Sequence, residues 1–149
     1  MISIIIPTLN EERALPATLA CLEQQIAGHE IIVVDGGSND DTVKIARSFH
    51  ESKVISASPG RASQMNAGAD VARGEWLLFL HADTCLPKDG LAQISTLPDA
   101  VKTGGFKHRF SGQSAGLKFI SWLHNFRCRC TRVFYGDQAM FVRADLFKQ

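Results

Sequence analysis

The chain has 149 residues, of which 45% are hydrophobic and 21% are charged, and its formal net charge is +1. This composition predicts one globular domain with a single core and excludes an intrinsically disordered chain. The near-neutral charge argues against a protein that binds nucleic acid over its whole surface. Since no run of about 20 apolar residues is present, any membrane association would be peripheral.

The first half of the chain alternates apolar strands with helices. Strands are predicted at 2–6, 30–35, 53–57 and 76–80, with helices after each of the first three. Thr8 or Asn10 is expected to cap the first helix, which Gly28 ends. The last of these strands, Trp76–Leu80, is apolar throughout, which is typical of a strand buried on both faces of a parallel sheet. The alternation predicts an α/β fold with a mostly parallel, doubly wound sheet.

The pattern changes after Pro87. A short helix is predicted around 91–97, an exposed or antiparallel strand at 101–110, and a longer helix at 114–131. A strand at 133–142 and the start of another helix follow. We therefore expect a small antiparallel C-terminal portion within a single domain that covers residues 1–149, because no repeat or linker interrupts the chain.

The four cysteines are spread through a chain that has no basic and apolar leader, a pattern that predicts free thiols and a cytoplasmic location. They are Cys21, Cys85, Cys128 and Cys130. The last two form a C-x-C pair without a second pair at zinc-ligand spacing, so idle thiols are favoured over a metal site.

Polar residues follow three of the predicted parallel strands, at Pro7 to Glu11, at Asp35 and at His81 to Asp83. In a doubly wound sheet these strand ends converge on one ligand crevice. The carboxylate of Asp35 would accept a hydrogen bond from a ribose hydroxyl or a base N–H. Asp83, beside His81, would hold Mg²⁺ or Mn²⁺, which in turn neutralises a diphosphate.

Each of these residues also has a purely structural interpretation. Asp35 would cap a helix, His81 would be a packed histidine, Asp83 would be a turn residue, and Arg61 would be a solvated charge at a helix start. The sequence lacks a G-x-G-x-x-G motif after the first strand, which argues against a nicotinamide dinucleotide site. A P-loop is also absent.

Four ordered motifs resemble the family 2 glycosyltransferases. They are Ser3–Glu12, Val33–Thr42, Gly60–Gly68 and Phe79–Asp83. More narrowly, Leu80–Thr84 and Tyr135–Gln138 are similar to a bacterial subgroup known as rSAM/selenodomain-associated transferase 2. The resemblance implies a GT-A fold and a metal-dependent, inverting transfer from a nucleotide-diphosphate sugar, most often a uridine nucleotide.

The resemblance also implies roles for individual residues. Residues 1–84 would be the nucleotide-binding half and residues 85–149 a partial acceptor half. Asp83 matches the metal ligand of the family's D-x-D motif, and His81 stands where the first Asp usually does, which leaves one fewer negatively charged oxygen. The nucleotide-binding residues implied are Pro7, Thr8, Asn10, Glu11, Asp35, Arg61, Asn66 and His81.

The resemblance places the general base of family members in an acidic pair beyond Gln149, where this sequence ends. Asp137 is the candidate substitute base, because an inverting transfer needs a carboxylate near the attacking hydroxyl. The alternative function is a shortened nucleotide-sugar binding module with little or no catalytic activity, completed by another subunit or a second copy in a homodimer. A nucleotidyltransferase would need a Gly-rich signature that the first strand lacks.

The acceptor side is basic. Residues 100–136 contain no Asp or Glu, and Phe119, Trp122 and Phe126 stand among the basic side chains. This pattern is that of either a solvated basic face or a surface for anionic lipid or a phosphate-bearing acceptor, at the inner face of the membrane. Specific nucleic-acid recognition is not expected. The basic residues are Lys102, Lys107, Arg109, Lys118, Arg127, Arg129 and Arg132.

Overall fold

The computed structural model of the chain describes residues 1–25, 28–50, 52–107, 116, 120–122, 125–126 and 139–147. The strands over these residues are β1 (Ile2–Thr8), β2 (His29–Asp35), β3 (Ser52–Ser56), β4 (Trp76–Phe79), β5 (Thr103–Gly105) and β6 (Met140–Arg143). The helices are α1 (Leu15–Glu23), α2 (Thr42–Ser48), α3 (Arg61–Val71), α4 (Gly90–Ser95) and α5 (Ala144–Phe147).

The six strands form one mixed sheet in the order β3-β2-β1-β4-β6-β5. β1 lies between β2 and β4 and runs parallel to both, with Ile4 opposite Ile31 and Leu78. β6 runs antiparallel to β4 and to β5. The predicted mostly parallel sheet with a small antiparallel C-terminal portion is therefore confirmed.

Helices cover both faces of the sheet because successive strand residues point to opposite sides. On one face Ile4 and Leu78 pack with apolar residues of α1, α2 and α4. On the other face Ile5 and Leu77 pack with residues of α3 and α5. All five residues of Trp76–Leu80 are buried, as expected for a central strand between two helical layers.

The first two elements differ from their predicted bounds. β1 continues through Pro7 to Thr8. The helix after it begins only at Leu15, and Ala14 at its N-cap makes no side-chain capping bond. Neither predicted cap is used, because the Thr8 hydroxyl donates to the Val34 carbonyl and the Asn10 side chain accepts from the Asn39 N–H.

The expectation of free thiols is wrong for Cys21 and Cys85, which form a disulfide between α1 and the segment after β4. Their Cα atoms are 5.8 Å apart although 64 positions separate them in the chain, and no local pattern reports such a long-range approach. The cysteine pattern therefore no longer argues for a reducing compartment. Cys128, Cys130 and Asp137 lie outside the described residues, as does most of the predicted helix at 114–131.

None of the helices within the described segments is long and apolar enough to cross a membrane.

Candidate functional site

A cavity of about 260 Å³ lies where β1, the segment after β4 and the first turn of α3 meet. Small-molecule sites typically measure roughly 300–1,000 Å³, so this cavity would hold part of a larger ligand. The residues that line it are Pro7, Thr8, Leu9, Glu11, Gly60, Arg61, Gln64, His81, Ala82 and Asp83.

The cavity exists because two neighbouring strands end at different heights. β4 stops at Phe79, and the Leu80 N–H makes a last bond of 3.0 Å to the Ile5 carbonyl. β1 continues past this point. The backbone nitrogen of Pro7 faces the same side of β1 as the backbone groups of Ile5, which is the side of β4, but β4 has already ended there. Proline has no N–H to leave unpaired there, so the strand extends into the opening without a buried, unsatisfied donor.

Helix α1 holds the segment that carries Asp83. The Thr18 hydroxyl donates to the Ala82 carbonyl at 2.6 Å, and the Gln25 amide donates to the Pro87 carbonyl at 2.9 Å. The Cys21–Cys85 disulfide lies between these two bonds along the chain. Thr18 and Cys21 lie three positions apart on one face of α1, and Gln25 follows just after the helix ends at Glu23. The helix and the residues at its C-terminal end therefore fix the backbone on both sides of Asp83.

The charged residues of the cavity influence one another. Burial raises the pKa of Glu11 above its usual value, the negative charges of Asp83 and Asp40 raise it further, and Arg61 opposes them. The Asp83 carboxylate is exposed and accepts a hydrogen bond from the Thr84 hydroxyl at 3.2 Å. An excess of negative charge therefore accumulates between Glu11 and Asp83, which a cation would relieve.

Asn10 connects two loops and is not among the lining residues. Its backbone has a φ of 57°, a conformation that Asn tolerates better than most residues. Its N–H donates to the Ser38 hydroxyl at 2.9 Å, and its side-chain oxygen accepts from the Asn39 N–H at 2.9 Å. A neighbouring bond of 2.7 Å joins the Glu11 N–H to the Thr42 hydroxyl, so the loop after β1 is fixed against the loop after β2.

Asp35 also lies outside the lining residues. Its carboxyl group, on a residue that is 5% exposed, accepts hydrogen bonds from the Gly37 and Ser38 N–H groups at 3.0 and 3.1 Å. The Ser38 hydroxyl donates to it as well. Asp35 thus shapes the turn that follows β2, whereas the structural interpretation made it a helix cap, a position that Asp41 occupies at α2. Asn66, on the exposed side of α3, is likewise not among the lining residues.

The cavity therefore brings together Pro7, Thr8, Glu11, Arg61, His81 and Asp83 from the predicted set. The sequence analysis missed four lining residues, Leu9, Gly60, Gln64 and Ala82. Gln64 had a recognisable signal: it stands four positions before Gly68, on the helical face that packs against the sheet. A long polar side chain on such a face reaches the sheet interior and needs hydrogen-bond partners there.

Among the residues that the structure describes, no three His, Cys, Asp or Glu side chains are grouped as a metal centre. Asp83 and Glu11 offer hard oxygen ligands of the kind that Mg²⁺ and Mn²⁺ prefer. These two carboxylates fit a partial ligand set whose remaining positions an oxygen-rich ligand would have to supply.

Residues 3–129 match the family described as Glycosyl transferase family 2. A PGL/p-HBAD biosynthesis glycosyltransferase of Mycobacterium bovis (strain BCG) is 45% identical over 103 residues, or 64% of this chain and 40% of that protein. An uncharacterized glycosyltransferase of Mycobacterium tuberculosis (strain H37Rv) is 32% identical over 93 residues, or 62% of this chain and 41% of that protein. The chain thus spans about 40% of the length of these relatives.

Solved structures show the same fold at low sequence identity. A mannosyltransferase from Pyrobaculum calidifontis, in complex with GDP-Man and Mn²⁺, gives a TM-score of 0.79 at 21% identity and covers 99% of this chain and 45% of its own. TarS 1–349 of S. aureus gives a TM-score of 0.74 at 24% identity and covers 99% of this chain and 48% of its own. Glucosyl-3-phosphoglycerate synthase from Mycobacterium tuberculosis, in complex with Mn²⁺ and UDP, gives a TM-score of 0.71 at 17% identity. It covers 98% of this chain and 57% of its own.

Proposed function

Because the chain belongs to glycosyl transferase family 2, we propose that it forms the donor-binding part of a glycosyltransferase that uses a nucleotide-diphosphate sugar. One observation carries the proposal: the carboxyl ends of β1 and β4 open into a cavity where Arg61, Glu11 and Asp83 come together. Two of the structural neighbours were solved with GDP-Man or UDP together with Mn²⁺, which supports a donor of this class. A uridine nucleotide is our first candidate.

The proposed metal ligand is Asp83. Its carboxylate is exposed at the cavity and makes a single side-chain bond, to Thr84, among the bonds that the described residues provide. Glu11 lies near enough for the charge of Asp83 to raise its pKa, and His81 lines the same wall. Diphosphate oxygens would complete the coordination of Mg²⁺ or Mn²⁺, and the bound ion would neutralise the charge of the departing diphosphate.

The proposed reaction is an inverting transfer. The acceptor hydroxyl attacks the anomeric carbon of the donor and loses its proton to a base, while the bond to the nucleoside diphosphate breaks on the opposite side. Arg61, at the first position of α3, would pair with negative charge of the nucleotide. Asp137 is the proposed base and lies outside the described residues.

Calorimetric titration with UDP, with and without Mn²⁺, tests the donor and the metal together. The wild-type chain should bind UDP more tightly when Mn²⁺ is present. Asp83→Ala should lose that enhancement, because it removes the proposed metal ligand while the rest of the cavity is unchanged. Asp99→Ala is the matched control: it removes an exposed carboxylate that does not line the cavity, and it should bind like the wild type.

The outcomes separate the competing functions. Metal-dependent UDP binding followed by release of sugar from a UDP-sugar supports the transferase. Metal-dependent binding without turnover supports the alternative, a nucleotide-sugar binding module. Absence of binding by any nucleoside diphosphate would rule out both.

The proposal for the acceptor side is contact with anionic lipid. Ile120, Trp122 and Phe126 are 51%, 59% and 53% exposed, and the rings of Trp122 and Phe126 stack with centroids 5.6 Å apart. In the sequence these apolar residues stand between Lys118 and Arg127. Exposed aromatic groups flanked by cations suit the interfacial region of a negatively charged bilayer, where a lipid-linked acceptor would be met.

A further inference from the structure

Gln64 lies at the base of the cavity, where its side-chain amide connects the ends of two strands. Its residue is 4% exposed. The Nε2 group donates to the Thr8 carbonyl at 2.7 Å and to the Val34 carbonyl at 2.8 Å. Both partners are acceptors, and only the nitrogen of the amide can donate. These bonds therefore assign the positions of Nε2 and Oε1 in the side-chain amide.

The bonds are not needed to satisfy the two carbonyl groups. The Thr8 carbonyl also accepts from the Gly36 N–H at 2.9 Å, and the Val34 carbonyl also accepts from the Thr8 hydroxyl at 3.3 Å. Each carbonyl therefore keeps a donor without Gln64. What the two bonds accomplish is to hold the amide in one orientation, with both of its N–H groups used and Oε1 as its remaining polar atom.

The backbone at Gly36 is shaped to receive this amide. A Cβ atom at position 36 would lie 3.0 Å from Nε2, 3.1 Å from Cδ and 3.2 Å from Oε1. These distances are shorter than ordinary van der Waals contact, so a side chain at position 36 would require the amide to shift by a few tenths of an ångström. The absence of a side chain at Gly36 thus allows the amide to lie flat against the turn after β2.

The position of Gln64 indicates which part of the donor it meets. In the sheet, β1 separates β2 from β4. Gln64 bonds to the ends of β2 and β1, whereas the proposed metal ligand Asp83 follows β4 on the other side of β1. A nucleoside diphosphate whose diphosphate lies at Asp83 would extend its nucleoside toward Gln64.

We infer that Gln64 is a specificity-determining residue whose Oε1 accepts a hydrogen bond from the ring N–H of the donor's base. This inference rests on the proposed function and sharpens its substrate class to bases with a ring N–H at the pairing edge, such as uracil. Cytosine presents a lone pair at the same ring position and would leave Oε1 facing another acceptor. Asp35, whose carboxylate is committed to its own turn, is then not required for this contact.

The test is the ratio of the dissociation constants for CDP and UDP, measured by calorimetry with Mn²⁺. The wild-type chain should bind UDP at least about tenfold more tightly than CDP, since a buried acceptor left unsatisfied weakens binding by roughly that factor. In Gln64→Met, which keeps the side-chain volume but lacks the acceptor, the ratio should fall to about one. Gln24→Met, an exposed change at the C-cap of α1, should keep the wild-type ratio.

A second variant tests the inference independently, in case Gln64→Met does not fold. In Gly36→Ala the Gln64 side chain is intact but displaced, and the ratio should again fall. A residue that merely stabilises the fold would weaken UDP and CDP equally and leave the ratio unchanged, which would overturn the inference. Equal binding of the two nucleotides by the wild type would also overturn it, whereas failure to bind either would contradict the proposed function instead.

Discussion

Glu11 combines two features at the scale of single residues: it lines the cavity and it has a raised pKa. Its burial and the charges of Asp83 and Asp40 disfavour the ionised carboxylate in the folded chain, and Arg61 compensates only in part. Such a group is poorly matched to its surroundings in the absence of a ligand. Binding sites commonly accept this cost in stability because the charge is needed for function.

Replacement of Glu11 by Gln should stabilise the free chain at neutral pH. The folded pKa lies above the ordinary value of 4.5, so the folded state is penalised when the group is ionised, and the penalty disappears as pH falls below about 4.5. Glu11→Gln should therefore raise the free energy of unfolding by less than about 1 kcal/mol at pH 7. At pH 4 the free energies of unfolding of the wild type and Glu11→Gln should be about equal.

Chemical denaturation at both pH values, in the absence of divalent cations, measures this difference. Glu23→Gln, an exposed change on α1, serves as the control and should change stability little at either pH. A loss of stability in Glu11→Gln at pH 7 would contradict the electrostatic account.

Most of the residues that line the cavity could be predicted from the sequence, because a segment that directly follows an apolar run can be recognised as the end of a buried strand. Pro7, His81 and Asp83 were identified in this way and do line it. Asn10 and Asp35 lie just as close to strand ends, yet the Asn10 side chain bonds to the neighbouring loop and the Asp35 side chain bonds within its own turn. Position in the chain places a residue at the sheet edge but does not determine the direction of its side chain, which depends on hydrogen bonds within and between the loops.

Helix α1 and the disulfide that it contributes act at the scale of elements. Cys21 and Cys85 close a loop with a separation of 64 positions. A cross-link of that length should stabilise the fold by about 2–4 kcal/mol, mainly by restricting the unfolded chain. Cys85→Ser should lose this amount in chemical denaturation.

Dithiothreitol should lower the thermal midpoint of the wild type but leave that of Cys85→Ser nearly unchanged. Mass spectrometry of an unreduced digest should show the peptides containing Cys21 and Cys85 joined. Recovery of both cysteines as alkylated free thiols would contradict the assignment.

The packing of α3 against the sheet gives a second prediction at this scale. A Cβ atom at Gly68 would collide with the Ile5 side chain and lie 3.0 Å from that of Val34. Gly68→Ala should therefore destabilise the fold by about 1–3 kcal/mol, because overpacking must shift the helix or the strand. Gly28→Ala is the matched control, as nothing lies within 4 Å of its added Cβ. Equal thermal midpoints of the two variants would contradict this close approach.

Strand identity and sheet type were predictable from apolar runs, whereas the bounds and cross-links were not. Trp76–Leu80 and 30–35 are apolar enough to indicate buried parallel strands, and both are central in the sheet. The extension of β1 through Pro7 depends on its pairing with Val34 and Asp35 of β2, which no local pattern reports. The Cys21–Cys85 pair likewise depends on how α1 lies across the segment after β4.

At the scale of the whole molecule, the exposed apolar side chains of Ile120, Trp122 and Phe126 predict association with anionic bilayers. In liposome flotation the chain should float with vesicles that contain phosphatidylglycerol and less with neutral vesicles, and added salt should weaken the association. The double variant Trp122→Ser and Phe126→Ser should float less than the wild type. Leu146→Ser, at a comparably exposed apolar residue on α5, should behave like the wild type. Absence of the chain from both floating fractions would contradict the prediction.

The central claim is that this cavity binds a nucleoside diphosphate through a divalent cation at Asp83. An anomalous difference map from crystals grown with UDP and Mn²⁺ tests it most directly. The account predicts a manganese peak roughly 2.0–2.3 Å from an Asp83 carboxylate oxygen, with the diphosphate beside it and the uracil toward Gln64. A manganese peak away from Asp83, or UDP bound outside the cavity, would contradict it.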